Sequence, residues 1–491
     1  MRTLLAGHFL YLSFIISRRR ISFIIFHFRS KSQPHKALKM MDEVVFDALN
    51  FVEMRGDNII MEKAKTLADF YGVFYPVPLK ESEMDSFYCD TIKFRTGDEY
   101  VSPMGDIYRI MKNNRGGNAF LLLGHKGCGK STELVKLASD FTAEGYRVES
   151  TNCRLEMDMQ NAVYWDLFIL ITQKLIKIAD ALKCDIGKAV IKRALSYWDD
   201  RSIVESVEEE LGYALESEVS AGAGLKGLFG AFLKITGDIK NKSGKRTELR
   251  KNVERRASEW MEILNSISLS IQNKSDGKMP ILIFEDLDKI SQDKALEIFY
   301  NNANALSQLP VKAIYTFPIN LYYSEKFTAL KSYFIHKTLP MIKVHNKDMS
   351  ENKEGVGIIK DIVYKRADEN LFERGVLDEM IKKTGGVLRD LFEVILNAAN
   401  RADNRKSEKI SMADAAVALT SLKSDLKRMI KVSDFDFLKN VYNKKEQIQD
   451  SEETLKFMQA LIVLEYNGDN WHDLHPLIHD FLFEQGILGD G

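Results

Sequence analysis

The stretch AFLLLGHKGCGKSTEL, residues 119–134, decides the fold of this chain. It contains the pattern G-x-x-x-x-G-K-[ST] from Gly124 to Ser131. The apolar run before the pattern is typical of a buried parallel strand, and the residues after it have helical periodicity. The sequence therefore predicts a strand, a phosphate-binding loop and a helix in direct succession.

The residue types in this loop fit a nucleoside triphosphate, and ATP with Mg²⁺ is the expected ligand. Glycines let backbone N–H groups curl around phosphates, and the N-terminus of the next helix favours an anion. Lys130 would place a cation beside the β- and γ-phosphates, and the Ser131 hydroxyl would be a ligand of Mg²⁺. The predicted nucleotide-binding residues are Gly124, His125, Lys126, Gly127, Cys128, Gly129, Lys130, Ser131 and Thr132.

Apolar runs alternate with helical patterns along the following 200 or so residues, which is typical of a parallel sheet covered by helices. We therefore predict an α/β fold, a P-loop NTPase sheet sandwiched by helices. Pro340 indicates an edge or a break in the last strand. Helices are predicted at 131–145 and 162–182, and further strands at 146–153, 281–284, 311–316 and 337–344.

Two acids follow the strand ILIF, where the carboxyl ends of parallel strands form the ligand edge of an α/β sheet. We assign Glu285 to the metal side, together with Ser131, and Asp286 as the catalytic carboxylate that orients the attacking water. The two roles could be exchanged. The alternative is an acidic loop that caps the next helix.

Two further residues are candidates for contact with the γ-phosphate. Thr316 ends the strand in AIYT, and Arg389 follows Gly386 at the start of a helix. Thr316 could instead cap its strand end, and Arg389 could instead form a surface ion pair with Asp390.

Taken in order, these four features resemble the Walker A, Walker B, sensor 1 and sensor 2 motifs of the AAA+/STAND group of P-loop ATPases, including KAP-like and origin-recognition-like relatives. The resemblance covers about residues 85–430. It implies an ATP-hydrolysing signalling or remodelling switch, with bacterial stress or phage defence as its setting. The alternatives are a non-hydrolysing nucleotide-gated scaffold and a DNA-loading ATPase.

Two departures from the group's pattern weaken the case for a ring-forming motor. Glu285 stands where an aspartate is usual, and no arginine lies between Thr316 and Arg366. An arginine finger that acts on another subunit could then be Arg366, Arg374 or an arginine of the insertion described next, and the alternative is that the chain has none.

The chain divides by pattern into five regions and one insertion. The insertion has an acidic first half, with eight acids in 199–218, and a basic second half, with eight lysines and arginines in 240–256. Such halves would pair as a helical hairpin. The regions are an apolar extension at 1–40, a helical lead-in at 41–84, the ATPase core at 85–350 with the insertion at about 195–275, an all-helical lid at 351–430, and a winged-helix-like unit at 431–491.

Composition restricts the location and the partners. The net charge of −1 provides no global field toward nucleic acid or anionic membrane, and four scattered cysteines favour the reducing cytoplasm. Neither apolar run near the N-terminus reaches the ~20 residues that span a bilayer. We interpret residues 1–40 as outside the mature protein, with membrane association only if residues 1–30 are retained.

The last region predicts a protein partner. Its order of helix, helix and hairpin is that of a winged helix, with a turn at Asn467 and Gly468. The candidate recognition helix begins with Glu452 and Glu453, which disfavours nucleic acid. A protein partner bound by this unit or by the insertion is favoured, and a homo-oligomer is compatible with the resemblance. The histidines at 472, 475 and 479 are interpreted as structural rather than as metal ligands.

Deletion of residues 199–256 should leave ATP affinity unchanged, because none of the nucleotide motifs lies there. The measurement is calorimetric titration of the deletion variant and the full chain with Mg²⁺–ATP. A folded deletion variant that binds no nucleotide would show that the insertion belongs to the site.

Overall fold

The computed structural model describes residues 11–17, 20–26, 61–187 except 115, positions 190, 193, 194, 251 and 254, and 257–489 except 447, 449 and 467–470. The chain forms two compact units, Met1–Met61 and Glu62–Gly491. In the first, strands β1, Tyr11–Ser17, and β2, Arg20–Phe26, pair antiparallel. Within the described residues no helix is long and apolar enough to cross a membrane.

Parallel strands form the central sheet of the second unit. All four pairings between neighbouring strands are parallel, which confirms the predicted α/β class. The strand that precedes the P-loop lies inside the sheet, between the last two of its strands in chain order. The described strands are β3, Asn118–Leu123; β4, Val148–Asn152; β5, Ile281–Glu285; β6, Lys312–Thr316; and β7, Ile335–Thr338, in the order β4-β5-β6-β3-β7.

The last strand is shifted from its predicted position. It was expected at 337–344, but β7 ends at Thr338. Pro340 lacks an N–H for a strand ladder, and its carbonyl oxygen instead accepts a hydrogen bond of 2.6 Å from Arg95 Nη1. β7 is an edge strand, which agrees with the position expected from the proline.

Helices cover the sheet and connect its strands. The helix after the P-loop begins at Lys130, one residue before the predicted start. The described helices up to residue 330 are α1, Phe70–Phe74; α2, Met84–Phe87; α3, Ile92–Thr96; α4, Pro103–Asn113; α5, Lys130–Ala143; α6, Cys153–Glu156; α7, Tyr164–Ala181; α8, Ala257–Asn273; α9, Gln292–Ala295; α10, Ala303–Ser307; and α11, Glu325–Leu330.

Helix α8 lies within the range predicted for the insertion, and it packs in the core. Trp260 is fully buried and donates a hydrogen bond of 2.9 Å from Nε1 to Oγ1 of Thr172 on α7. The predicted helical hairpin, with its apolar tip, lies outside the described residues apart from positions 251 and 254. Residues 257–273 therefore belong to the packed body of the protein.

The lid is helical, as predicted. Its described helices are α12, Lys353–Arg366; α13, Val376–Lys383; α14, Leu388–Asn404; and α15, Met412–Lys427. Ser411 caps α15 by accepting a hydrogen bond from the Asp414 N–H. Arg366 is buried within this region, with its guanidinium 5.1 Å from the ring centre of Phe392, which removes it as a finger for another subunit.

The C-terminal unit has the predicted order of two helices and a hairpin, followed by a third helix. The candidate recognition helix is turned toward the core, where the carbonyl of Leu455 accepts a hydrogen bond of 3.3 Å from Asn320. The turn predicted at Asn467 and Gly468 lies outside the described residues. The elements are α16, Phe435–Lys444; α17, Glu452–Gln459; β8, Val463–Tyr466; β9, Trp471–Leu474; and α18, Pro476–Glu484.

Candidate functional site

The loop between β3 and α5 has a backbone that favours its glycines. The φ angle is +149° at Gly124, +80° at Gly127 and +104° at Gly129. Residues other than glycine rarely adopt such positive φ angles. A Cβ atom at Gly127 would also lie 2.7 Å from Cβ of Arg389. The loop therefore holds a shape in which backbone N–H groups can converge on an anion.

The other residues of the loop differ in exposure. Cys128 is buried and joins the apolar core, with Sγ 3.9 Å from the Leu339 carbonyl oxygen. Lys126, Ser131 and Thr132 are partly exposed. Burial lowers the pKa of Lys126 despite the opposing charge of Asp288, and the neighbouring cations lower it further.

Lys130 is buried, and its ammonium has three oxygen partners. Nζ lies 2.8 Å from the carbonyl oxygen of Gly124, 3.0 Å from that of His125 and 2.9 Å from Oδ2 of Asp288. Burial alone would lower the pKa of Lys130, but the Asp288 carboxylate outweighs it and holds the pKa above its ordinary value. The lysine is therefore charged and positioned at the loop.

The two predicted acids lie in different surroundings. Glu285 ends β5, and its carboxyl interacts with the side chain of Ser131, which opposes the rise of the Glu285 pKa. Burial raises the pKa of Glu285 to about 7, and the charges of Asp286 and Asp288 act in the same direction. Ser131 and Glu285 thus present two neighbouring oxygen ligands of the kind that Mg²⁺ prefers.

Asp286 turns the chain at the end of β5. Its φ of +66° breaks the strand, and its Oδ1 lies 2.6 Å from Nζ of Lys289. In an unbroken strand the side chains of Glu285 and Asp286 would point to opposite faces. The break releases Asp286 from that alternation, and its described ion pair is with Lys289.

Thr316 is buried at the end of β6, and protein atoms satisfy its hydroxyl. Oγ1 accepts a hydrogen bond of 3.0 Å from the Leu287 N–H and donates one of 3.3 Å to the Phe284 carbonyl. These contacts cross from β6 to the turn that carries Asp286. The strand-end interpretation therefore has direct contacts here, and the γ-phosphate interpretation stays a prediction.

Arg389 lies against the P-loop. Its backbone N–H donates to the Gly127 carbonyl at 3.3 Å, and its Nε lies 3.4 Å from Oδ1 of Asp390. Burial raises the pKa of Asp390 to about 6 against the opposing charge of Arg389. The structure thus brings the predicted lid arginine to the loop, while the predicted ion pair with Asp390 is also present.

Sequence reasoning missed Arg95, which braces the loop from α3. This side chain is almost fully buried and donates from Nη2 to the Cys128 carbonyl at 2.7 Å and from Nε to Thr91 Oγ1 at 2.7 Å. Glu133 on α5 accepts a hydrogen bond from Tyr88 at 3.1 Å. The sequence offered only an arginine upstream of the loop, and Arg95 does not stand at a distance from the P-loop that any known motif fixes.

The C-terminal unit also contacts the loop. The Glu465 N–H on β8 donates a hydrogen bond of 2.8 Å to Nε2 of His125. Burial lowers the pKa of His125 to about 3, with the Lys130 charge adding to the effect, so the imidazole is neutral and can accept. The Glu465 carboxyl accepts from the Tyr323 hydroxyl at 2.7 Å, and the same hydroxyl lies 2.8 Å from Nε2 of His472.

Comparisons with known proteins give distant likenesses. No family model matches the chain, and no curated protein matches it. Three solved structures illustrate the matches. The RuvB Holliday junction branch migration motor of Thermotoga maritima is 10% identical, with 80% of this chain and 99% of that chain covered and a TM-score of 0.31. Drosophila ORC bound to DNA is 8% identical, with 84% of this chain and 83% of that chain covered and a TM-score of 0.32. Aeropyrum pernix ORC2 in ADPNP–ADP complexes is 11% identical, with 81% of this chain and 98% of that chain covered and a TM-score of 0.36.

The geometry of the chain itself indicates its fold class. A parallel sheet carries the glycine loop at a strand end, the loop runs into a helix, and a helical lid contacts it. This is a P-loop NTPase fold. A P-loop NTPase fold is what the resemblance to the AAA+/STAND group implies, and the residues present fit the phosphates of a nucleotide and Mg²⁺.

The buried carboxyl of Glu465 predicts a pH-dependent stability. Burial raises its pKa to about 7, against a hydrogen bond from Tyr323, whereas the ordinary value is 4.5. Between these values the folded state holds a proton that the unfolded state has lost, so this group's contribution to stability falls as pH rises. Glu465→Gln never ionises, and its stability relative to wild type should increase between about pH 5 and about pH 8, by on the order of 1 kcal/mol or more.

Thermal unfolding at both pH values measures this difference. Glu408→Gln, at an exposed position of the lid, is the matched control and should show no such trend. A Glu465→Gln difference that is the same at both pH values would contradict the assignment.

Proposed function

We propose that this chain binds and hydrolyses ATP as an AAA+/STAND-type switch for signalling or remodelling. One observation carries the proposal: the P-loop is bonded to the lid at Gly127 and to the C-terminal unit at His125, by Arg389 and Glu465 respectively. Phosphates bound to this loop would make different contacts when the lid and the C-terminal unit are arranged differently around it. A ligand with such a difference in affinity shifts a conformational equilibrium.

The residues around the loop have separate tasks in this proposal. Backbone N–H groups and Lys130 bind the phosphates, and Ser131 with Glu285 would hold Mg²⁺, which neutralises charge during phosphoryl transfer when bound. Asp286 orients and polarises the attacking water. Thr316 holds the turn that carries Asp286 through the Leu287 N–H, and this contact supports a positioning task for it.

Arg389 links the chemistry to the lid. Its backbone N–H is hydrogen-bonded to Gly127, which places the side chain near Lys126 and Lys130. The positive charge of Arg389 acts to lower the pKa of both lysines. A guanidinium at this place would be attracted to the γ-phosphate and lose that partner after hydrolysis. The lid and the C-terminal unit would then relax together.

We propose a protein as the partner, bound by the C-terminal unit or the insertion, and a homo-oligomer as one active form. Nucleic acid is less favoured because α17 lies against the core segment Ile319–Tyr323 instead of presenting a free face. The four cysteines are free, which supports a cytoplasmic setting. The link to bacterial stress or phage defence rests on the resemblance alone.

Hydrolysis is tested by phosphate release and nucleotide affinity at two magnesium concentrations. Asp286→Asn should bind ATP like wild type and hydrolyse it on the order of a hundredfold more slowly, because it loses the group that polarises water. Glu285→Gln should lose affinity when magnesium is limiting. Lys130→Ala should bind ATP weakly or not at all, and exposed Asp293→Asn is the control for a change of charge near the site.

The outcomes separate an enzyme from a scaffold. Wild-type hydrolysis rates in both acid variants would make Glu285 and Asp286 structural. ATP binding by the wild-type chain without phosphate release, with candidate partners added, would favour the nucleotide-gated scaffold.

The switch is tested by hydrogen exchange of the hairpin strands β8 and β9. Exchange there should differ between the ADP-bound chain and the chain with a non-hydrolysable ATP analogue, because the hairpin is bonded to His125 of the loop. Helix α7 is a suitable internal control, since it is buried and carries none of the loop contacts described above. Identical hairpin exchange in both states would rule out this coupling.

A further inference from the structure

Lys130 has no hydrogen-bond donor left for a ligand in this structure. An ammonium group has three N–H donors, and three oxygen atoms lie within 2.8–3.0 Å of Nζ. Two of them are carbonyl oxygens of Gly124 and His125, and the third belongs to Asp288. A phosphate that binds Lys130 must therefore replace at least one of these oxygens.

Asp288 is the partner that an anion would replace. The two carbonyls belong to the loop itself and are neutral, whereas the Asp288 carboxylate is a separate anion on the turn Leu287–Lys289. Exchange of a carboxylate for a phosphate keeps the buried ammonium paired with an anion. Loss of that pairing would be costly, because an unpaired charge in a buried site is strongly disfavoured.

The surroundings of Asp288 support this assignment. Its side chain is 6% exposed, and Lys126, Lys130 and Lys289 all act on it electrostatically. Burial pushes the pKa of Asp288 upward, but the lysines outweigh it and lower the pKa, so the group is ionised. The carboxylate thus lies within electrostatic reach of three lysines, and the phosphates of a nucleotide would be attracted by the same charges.

We propose that Asp288 is an internal competitor of the phosphates: its carboxylate occupies the Lys130 ammonium and must be displaced when a nucleotide binds. The inference rests on the proposed function in one respect, since it takes the loop to be the nucleotide site. It adds a positioning residue that lowers affinity and sets Lys130 in place before the ligand arrives.

A structural role alone predicts the opposite result for a variant. If Asp288 only stabilised the loop, its loss would distort Lys130 and weaken phosphate binding. If it competes, Asp288→Asn keeps an oxygen acceptor near Lys130 but removes the anion, and binding becomes tighter. The expected gain is about 10- to 100-fold, the range for one hydrogen bond to a charged group.

The experiment titrates the full chain with ADP and with inorganic pyrophosphate, which lacks the base and sugar. Wild type, Asp288→Asn and the control Asp293→Asn are compared, with Lys130→Ala as the variant that should not bind. Asp288→Asn should bind both ligands about 10- to 100-fold more tightly, and Asp293→Asn should match wild type. Asp288→Asn should also have a lower melting temperature without ligand and a larger ligand-induced rise.

Asp288→Ser, which is neutral like the asparagine variant but has a shorter side chain, replaces that variant if it does not fold. Equal or weaker pyrophosphate and ADP binding by a folded Asp288 variant overturns the inference and leaves the nucleotide site intact. If neither wild type nor an Asp288 variant binds any nucleotide, the proposed function fails as well. Binding by an Asp288 variant alone would support the competition, with the wild-type loop held closed.

Discussion

The buried ammonium of Lys130 is the constraint on which the rest of the site depends. A charge with so little access to water needs nearby oxygen atoms, and the fold supplies them from the loop and from the end of β5 through Asp288. The glycine backbone lets the two loop carbonyls turn inward, and the parallel sheet brings the β5 turn beside the loop. The order of the strands therefore positions the partners of Lys130 as well as the residues of the apolar core.

Three distant parts of the chain meet at the P-loop. Helix α3 contacts it through Arg95, the lid through Arg389 and the C-terminal unit through Glu465. Each uses a hydrogen bond to a loop atom, and the apolar residues Leu464 and Tyr466 share a core with the loop's Cys128. The loop is consequently the place where elements remote in sequence meet, and the proposed function relies on these contacts to carry a change at the phosphates to them.

The sequence was informative where the chemistry is local. The strand, loop and helix around Gly124 depend on neighbouring residues, so their order and bounds were predicted almost fully, as was the helical lid. The last strand was misplaced because Pro340 ends the ladder earlier than the apolar pattern suggests. Arg95 and Asp288 could not be assigned, because each gains its role from a partner far away in sequence and neither belongs to a pattern of fixed spacing.

The hydrogen bond from Glu465 to His125 joins residues 340 positions apart. At a synthesis rate of ~5–20 residues per second, the loop leaves the ribosome on the order of 20–70 s before the strand that binds it. During that interval the nascent loop is without its C-terminal partner, while cellular nucleotides are already present. Under the proposed function, a nucleotide can bind the loop before the C-terminal strand is made, and the order of these two events then sets the state in which each new molecule begins.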